Sequence, residues 1–190
     1  MRKAAQLACL ALAVVLTACG GDDDEETRGS ASPGAVPFDR AFIDAMVPHH
    51  ESAIAMAEAA REAGLSQPDL LTIVSDIVRT QQAEIDQMQA WRADWFGSGE
   101  IDPRGAEALG LSDEQMGMQH SAGDIATAGD VDAAFATKMI DHHEGAIRMA
   151  ELALERGQHA EIRMLAQQIV AAQQREIEIM REHAVGVHHG

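Results

Sequence analysis

The sequence is short of aromatic residues and of positive charge. Its 190 residues include no Tyr, 2 Trp and 4 Phe, and 14 Lys and Arg stand against 31 Asp and Glu, which gives a formal net charge of −17. Proteins that bind bases or sugars by stacking normally need more aromatic rings, and phosphate binding requires a cationic surface. The composition therefore excludes nucleic acid as a partner and favours cations. Met and His, by contrast, are abundant, with 10 and 9 copies.

Cysteine is also scarce, and both copies lie near the N-terminus, at positions 9 and 19. Arg2 and Lys3 precede the apolar run Leu7–Leu16, which is too short to span a membrane as a mature helix. The sequence Leu-Thr-Ala-Cys that ends at Cys19 then matches a bacterial lipobox. We expect cleavage before Cys19 and lipid attachment to its thiol; the alternative is a plain secretory signal. The mature chain would have no thiol left for disulfides or cysteine catalysis.

The sequence divides into four segments. Residues 1–19 are predicted to be a lipoprotein signal peptide, which places the protein outside the cytoplasm, anchored to the bacterial cell membrane in the periplasm or on the outer surface. Residues 20–37 are acidic and rich in Gly and Pro, and predict a flexible linker. Residues 38–185 form the predicted folded domain, and residues 186–190 a His-rich tail.

The predicted domain contains an internal repeat. Phe42–Ala60 and Phe135–Ala153 share the pattern Met-x-x-His-His-Glu-x-Ala-Ile-x-Met-Ala at an offset of 93 positions. Each copy is followed by Gln-x-x-Glu-Ile-x-x-Met, which begins at Gln81 and again at Gln173, at an offset of 92. A repeat of this length indicates a duplicated structural unit.

Each unit has the pattern of a helical hairpin. Both blocks are rich in helix-forming residues, and their apolar positions recur at steps of three and four. Asp39 and Asp132 are the predicted helix starts, and Pro48 is expected to kink the first helix. Ser112 and Gln115 have the spacing of a capping box, which predicts a short extra helix between the units. Two hairpins with one apolar face each predict an all-α, four-helix bundle.

The His residues of each repeat are predicted to face the interior. At 100° per residue they share a stripe about 120° wide with Met and Ala, and the second helix of each hairpin adds a Gln, a Glu and a Met to the same interior. Buried polar groups of this kind need partners. One explanation is that Glu84 and Glu176 accept hydrogen bonds from imidazoles of their own hairpins while Met fills space.

The other explanation is a metal site. Imidazole and thioether groups on adjacent turns are borderline and soft ligands that together suit copper, above all Cu(I), with silver as a second candidate ion. Glu84 and Glu176 would then orient the imidazoles. Zinc prefers Cys, His and carboxylate to thioether, and no Glu-x-x-His spacing supports a di-iron site.

The twin motif resembles the family catalogued as domain of unknown function 305, over about residues 38–183. The resemblance implies a ferritin-like four-helix bundle that is commonly exported, and some members of the family are periplasmic copper-binding proteins linked to metal resistance. It also implies a pool of ten metal ligands: Met46, His49, His50, Met56, Met88, Met139, His142, His143, Met149 and Met180.

Three functional hypotheses follow. The first is a lipid-anchored protein that binds, buffers or passes on copper or silver, with a metal-transfer protein as a further partner; a homo-oligomer is also open. The second is a metal-free structural or interaction module of the cell envelope, and the third, the least favoured, is a redox enzyme. Two further groups remain without a role: the cluster Met116, Met118 and His120 between the repeats, which is either a second donor group or a mobile surface helix, and the C-terminal His183, His188 and His189.

Overall fold

A computed structural model describes residues 36–184 and shows four long helices and two short ones. No β-strand occurs in this range, which confirms the predicted all-α bundle of two hairpins. The predicted signal peptide, Cys19, His188 and His189 lie outside the described residues. Among residues 36–184, no helix combines the length and the hydrophobicity that a membrane span requires. The helices are α1 Phe38–Glu62, α2 Pro68–Phe96, α3 Gly105–Leu109, α4 Ala122–Ala126, α5 Val131–Arg156 and α6 Ala160–Met180.

Glycine and proline separate the two helices of each hairpin. Gly64 has φ +97°, a conformation that L side chains rarely adopt, and Pro68 begins α2 at a position where its missing N–H costs no helical hydrogen bond. Gly157 follows the last residue of α5. Pro48 lies inside α1, which nevertheless runs from Phe38 to Glu62 as one helix.

The predicted helix starts at Asp39 and Asp132 are wrong by one or two residues. Pro37 precedes α1 without a side-chain cap, and Asp130 caps α5 by accepting a hydrogen bond from the Ala133 N–H. Asp39 and Asp132 lie inside the first turns of these helices. Their carboxylates are engaged elsewhere, because each one accepts hydrogen bonds from the turn of the opposite hairpin.

These two carboxylates join the hairpins reciprocally. Asp39 accepts from the backbone N–H groups of Gln158 at 2.9 Å and His159 at 2.8 Å, at the turn between α5 and α6. Asp132 accepts from the N–H of Ser66 at 2.8 Å and from its hydroxyl at 2.6 Å, at the turn between α1 and α2. The start of each central helix therefore lies beside the end of the other, so α1 and α5 are antiparallel and related by an approximate two-fold axis.

The segment between the repeats differs from its prediction. The capping-box hydrogen bonds are present, from Ser112 N–H to Gln115 Oε1 at 2.9 Å and from Gln115 N–H to Ser112 Oγ at 3.2 Å. Residues 113–119 nevertheless form turns and no helix, because Gly117, at φ +70°, leaves the helical region of backbone space. The short helices α3 and α4 lie on either side of this segment.

Candidate metal centre

All ten candidate ligands are buried, each with at most 1% of its surface exposed. His49 and His50 lie at the middle of α1, and His142 and His143 at the middle of α5. These four residues are called the histidine cluster below. They separate the apolar core into two groups. Among the buried residues of α1, the first group ends at Val47 and the second begins at Ala53.

One imidazole of each hairpin pairs with a carboxylate. His50 Nε2 lies 2.7 Å from Glu84 Oε2, and His143 Nε2 lies 2.6 Å from Glu176 Oε2. The two Glu side chains are 19% and 16% exposed, so they lie between the buried rings and solvent. A carboxylate can only accept, so each Nε2 carries the proton of its ring. In the neutral imidazole the lone pair is then on Nδ1.

The other two imidazoles are in contact with each other. The ring centroids of His49 and His142 are 3.8 Å apart, and the ring planes are tilted by 40°. His49 Nε2 lies 2.9 Å from the carbonyl oxygen of Met116, to which it must donate. The lone pair of His49 is therefore also on Nδ1, as in His50 and His143.

Buried nitrogen atoms of this cluster lack hydrogen-bond partners. Within residues 36–184, the buried atoms without a partner include Nδ1 of all four histidines and Nε2 of His142. A buried polar atom left unpaired costs about 1–3 kcal/mol. A metal ion bound to these nitrogens would remove that cost, so the cluster has the donor chemistry of a metal site.

Burial also keeps His49 and His142 uncharged. Desolvation, followed by the proximity of His50, lowers the pKa of His49 from 6.5 to about 3. Desolvation, followed by the proximity of His49, lowers the pKa of His142 well below its ordinary value. Neutral imidazole is the form that binds metal ions, so no proton has to be displaced from either ring near neutral pH.

The buried thioethers flank the histidine cluster symmetrically. One apolar group contains two Met of the first repeat and one of the second. The other group contains two Met of the second repeat and one of the first. The offsets of 93 and 92 positions relate each Met in one group to a Met in the other. The first set is Met46, Met88 and Met149, and the second is Met139, Met180 and Met56.

Imidazole, thiol and carboxylate groups do not form a metal site by themselves in the described part of the chain. Among residues 36–184, no three His, Cys, Asp or Glu side chains are arranged to hold a metal ion. A metal bound in the core would therefore need thioether ligands in addition to imidazole. Such a mixed donor set suits soft ions and not zinc.

The structure also reveals contacts that the sequence pattern did not predict. Met116 is buried and supplies the carbonyl that holds His49, and His120 pairs with Asp141 at 3.0 Å, so this segment packs on the bundle as turns and is not a surface helix. The buried Gln81 and Gln173, at equivalent positions of the repeats, each have an unpartnered Oε1. Gly145 stands where the first repeat has Ser52, and this difference was the available sign of the Met116 contact.

Two further histidines are partnered. The ring of His159, at the turn between α5 and α6, stacks on Trp95 with a centroid distance of 3.8 Å and hydrogen-bonds to Asp39. His183 pairs with Asp69 at 2.8 Å, and this hydrogen bond lowers the pKa of Asp69. Both contacts join the second hairpin to the first, so these imidazoles have structural partners outside the histidine cluster.

Comparison with known proteins identifies relatives over most of the chain. The family model for a domain of unknown function, DUF305, matches residues 22–92 and 39–184. The structure of CopM in the Cu(I)-bound form is 31% identical, with 76% of this chain and 93% of CopM covered and a TM-score of 0.64. CopM co-crystallised with Ag is 30% identical, with the same coverage and a TM-score of 0.65.

A third solved structure is a DUF305 fragment from Deinococcus radiodurans. It is 28% identical, with 78% of this chain and 95% of the fragment covered and a TM-score of 0.60. A comparison with curated proteins finds no match. Because the family model covers the whole described bundle, the chain belongs to the DUF305 family.

Proposed function

We propose that this protein binds copper as Cu(I), with silver as a second ion, and that it buffers the metal or passes it on outside the cytoplasm. One observation carries the proposal: four buried imidazoles have unpartnered Nδ1 atoms and lie between two sets of buried thioethers. Neutral imidazole and thioether are ligands that Cu(I) and Ag(I) prefer.

The tautomers support direct ligation by the core. Nε2–H of His49, His50 and His143 donates to an oxygen acceptor, so the Nδ1 lone pair of each ring is free for metal ligation. Glu84 and Glu176 would fix the orientation of two of the rings and make them better donors. The similarity to CopM, which has been solved with Cu(I) and with Ag, points to the same class of ion.

The proposed location depends on the N-terminal sequence. The basic start, the apolar run and the lipobox at Cys19 support export and lipid attachment to the cell membrane. The excess of acidic over basic residues would attract cations at such a surface. A metal-transfer protein is then the expected macromolecular partner.

Metal titration of the full chain, purified without a His tag, tests this function. We expect Cu(I) to bind with a sub-micromolar Kd, about 10⁻⁷ M or below, in competition with a chelator. Replacement of His49, His50, His142 and His143 by Ala should weaken binding by more than about tenfold, or about 1.4 kcal/mol. Copper affinity unchanged by that replacement would refute the proposal.

A matched pair of single substitutions controls for the loss of an imidazole. His142→Ala removes a ring with two unpartnered nitrogens, whereas His159→Ala removes a ring that stacks on Trp95 outside the cluster. Only the first variant should lower the copper affinity. Far-UV circular dichroism of both variants establishes that the helices are retained.

The metal-free envelope module is the alternative function, and the two His–Glu hydrogen bonds favour it. They satisfy Nε2 of His50 and His143 without any metal. On this hypothesis the four substitutions lower the melting temperature in metal-free buffer, and added copper does not raise the melting temperature of the native protein. A rise in melting temperature on addition of Cu(I) or Ag(I) would exclude it.

A further inference from the structure

Residues Gln115–Met118, called the strap below, lie across the two central helices. The Met116 carbonyl accepts the hydrogen bond from His49 on α1. The Gln115 carbonyl accepts from Arg148 Nε on α5 at 2.6 Å.

Two glycines allow the strap to approach α5 closely. A Cβ atom at Gly145 would lie 1.8 Å from the Met116 carbonyl oxygen, and one at Gly117 would lie 2.2 Å from the Asp141 carbonyl oxygen. Any side chain at either position would push the strap away. The strap is therefore held at a fixed place beside His49 and His142.

A cavity of about 160 Å³ lies between the strap and α1. Met116 and Met118 line it together with Pro48 and His49. Met116 is 4% exposed and Met118 is half-buried, so the two thioethers lie at different depths. His49, which is 1% exposed, contributes a ring whose Nδ1 has no partner.

The charged groups around this cavity do not favour a hard cation. Asp44 lines it but is already paired with Arg92, at 2.8 Å. Asp113 is the other carboxylate of the lining, and it is exposed to solvent. Thioether and imidazole are thus the donors that remain inside, and these bind soft monovalent ions.

We propose that Met116 and Met118 form an outer site for a soft monovalent metal ion, from which the ion passes to the histidine cluster at His49. This inference rests on the proposed function. Met118, the more exposed of the two Met, binds the incoming ion first, and Met116 binds it at greater depth. His49 belongs both to this cavity and to the cluster. No other imidazole of the cluster lines the cavity.

Silver titration of the full chain, labelled with ¹³C at its Met methyl groups, tests the outer site. With Ag(I) nitrate as the probe, the Met118 and Met116 resonances should shift during the titration, in addition to those of Met46 and Met149. Met118→Leu should lower the number of bound Ag(I) ions by one, as counted by native mass spectrometry. It should also slow the loading of the remaining ions by about tenfold or more, which is the scale on which altered metal ligation changes affinity or activity.

The control and a second variant separate the two proposals. Met164→Leu alters a Met that is 55% exposed on α6 and should leave stoichiometry and rate unchanged. His142→Ala should weaken the cluster and still allow the Met118 resonance to shift. Wild-type protein that takes up neither Cu(I) nor Ag(I) would refute the proposed function itself. Normal uptake by wild type, with equal stoichiometry and rate in Met118→Leu and in Met116→Leu/Met118→Leu, would refute the outer site alone.

Discussion

Among single residues, His49 and His142 have the most unusual environment. Both are buried, their rings are in contact, and three of their four ring nitrogens have no hydrogen-bond partner. Such a pair lowers the stability of the metal-free fold, because desolvated nitrogen atoms cost free energy. The cost is tolerable where a bound metal ion offsets it.

The lowered pKa values predict acid-sensitive stability. The folded pKa of His49 is about 3 and its ordinary value is 6.5, so the unfolded chain takes up this proton first as pH falls. The pKa of His142 is shifted in the same direction. The free energy of unfolding of the metal-free protein should therefore fall below pH 6.5, by about 1.4 kcal/mol per pH unit for each of the two residues.

Urea unfolding between pH 6.5 and 5 measures this slope. The double variant His49→Gln/His142→Gln carries no titrating group at the two positions and keeps the His50–Glu84 and His143–Glu176 pairs. Its slope should be shallower than that of the wild type. Equal slopes in the two proteins would mean that these imidazoles are not held neutral.

The inward direction of the candidate ligands was predictable, but the contact that holds His49 was not. Helical periodicity applied to the repeat predicts which side chains face the core, and all ten are buried. The partner of His49 is a backbone carbonyl 67 positions away, on a non-repeated segment. The one local sign was that Gly145 stands where the first repeat has Ser52, since only a residue without a side chain admits the strap.

At the level of elements, the hairpins are joined at both ends by the same device. Asp39 and Asp132 occupy equivalent positions, and each binds the turn of the opposite hairpin. The sequence predicted the hairpins because their periodicity and breaking residues are local. It misplaced the helix starts because these carboxylates bind groups remote in sequence and do not cap their own helices.

We predict that each aspartate contributes to stability independently. Asp39→Ala leaves two backbone N–H groups without their acceptor and should lower the free energy of unfolding by about 1–3 kcal/mol. Asp132 is more exposed than Asp39, so Asp132→Ala should cost less. The two lie at opposite ends of the antiparallel pair, so the double variant should show the sum to within about 0.5 kcal/mol.

Chemical denaturation of the three variants tests this additivity. Asp94→Ala, at an exposed position of α2, is the matched control and should change stability by less than about 0.5 kcal/mol. Strong non-additivity would show that the two ends unfold as one coupled unit. No effect of Asp39→Ala would mean that the turn between α5 and α6 does not need this carboxylate.

On the scale of the whole molecule, the two-fold relation extends from the backbone to the thioethers. Each apolar group contains two Met from one repeat and one from the other. Met and Leu have similar volumes, so exchange between them changes the donor set with little effect on packing. The symmetry of the proposed metal-binding core can therefore be tested directly.

We expect the two Met sets to contribute equally to metal capacity. Met46→Leu/Met88→Leu/Met149→Leu and Met56→Leu/Met139→Leu/Met180→Leu should each bind fewer Ag(I) ions than wild type, by the same number. Native mass spectrometry after silver loading counts the ions, with Met164→Leu as the unchanged reference. A loss confined to one of the triple variants would show that the repeats have diverged in function.

Covalent linkage of the two repeats allows their sequences to differ, and the reciprocal aspartate contacts show what the linkage adds. Because each hairpin supplies a carboxylate for the other and receives one in return, two identical hairpins could assemble by the same contacts. In such a homodimer, every substitution would occur on both sides of the axis at once. A single chain removes that constraint, so Gly145 could replace the equivalent of Ser52 in one half alone and open a face for the strap. Duplication followed by fusion thus lets one half specialise while the other retains the shared architecture.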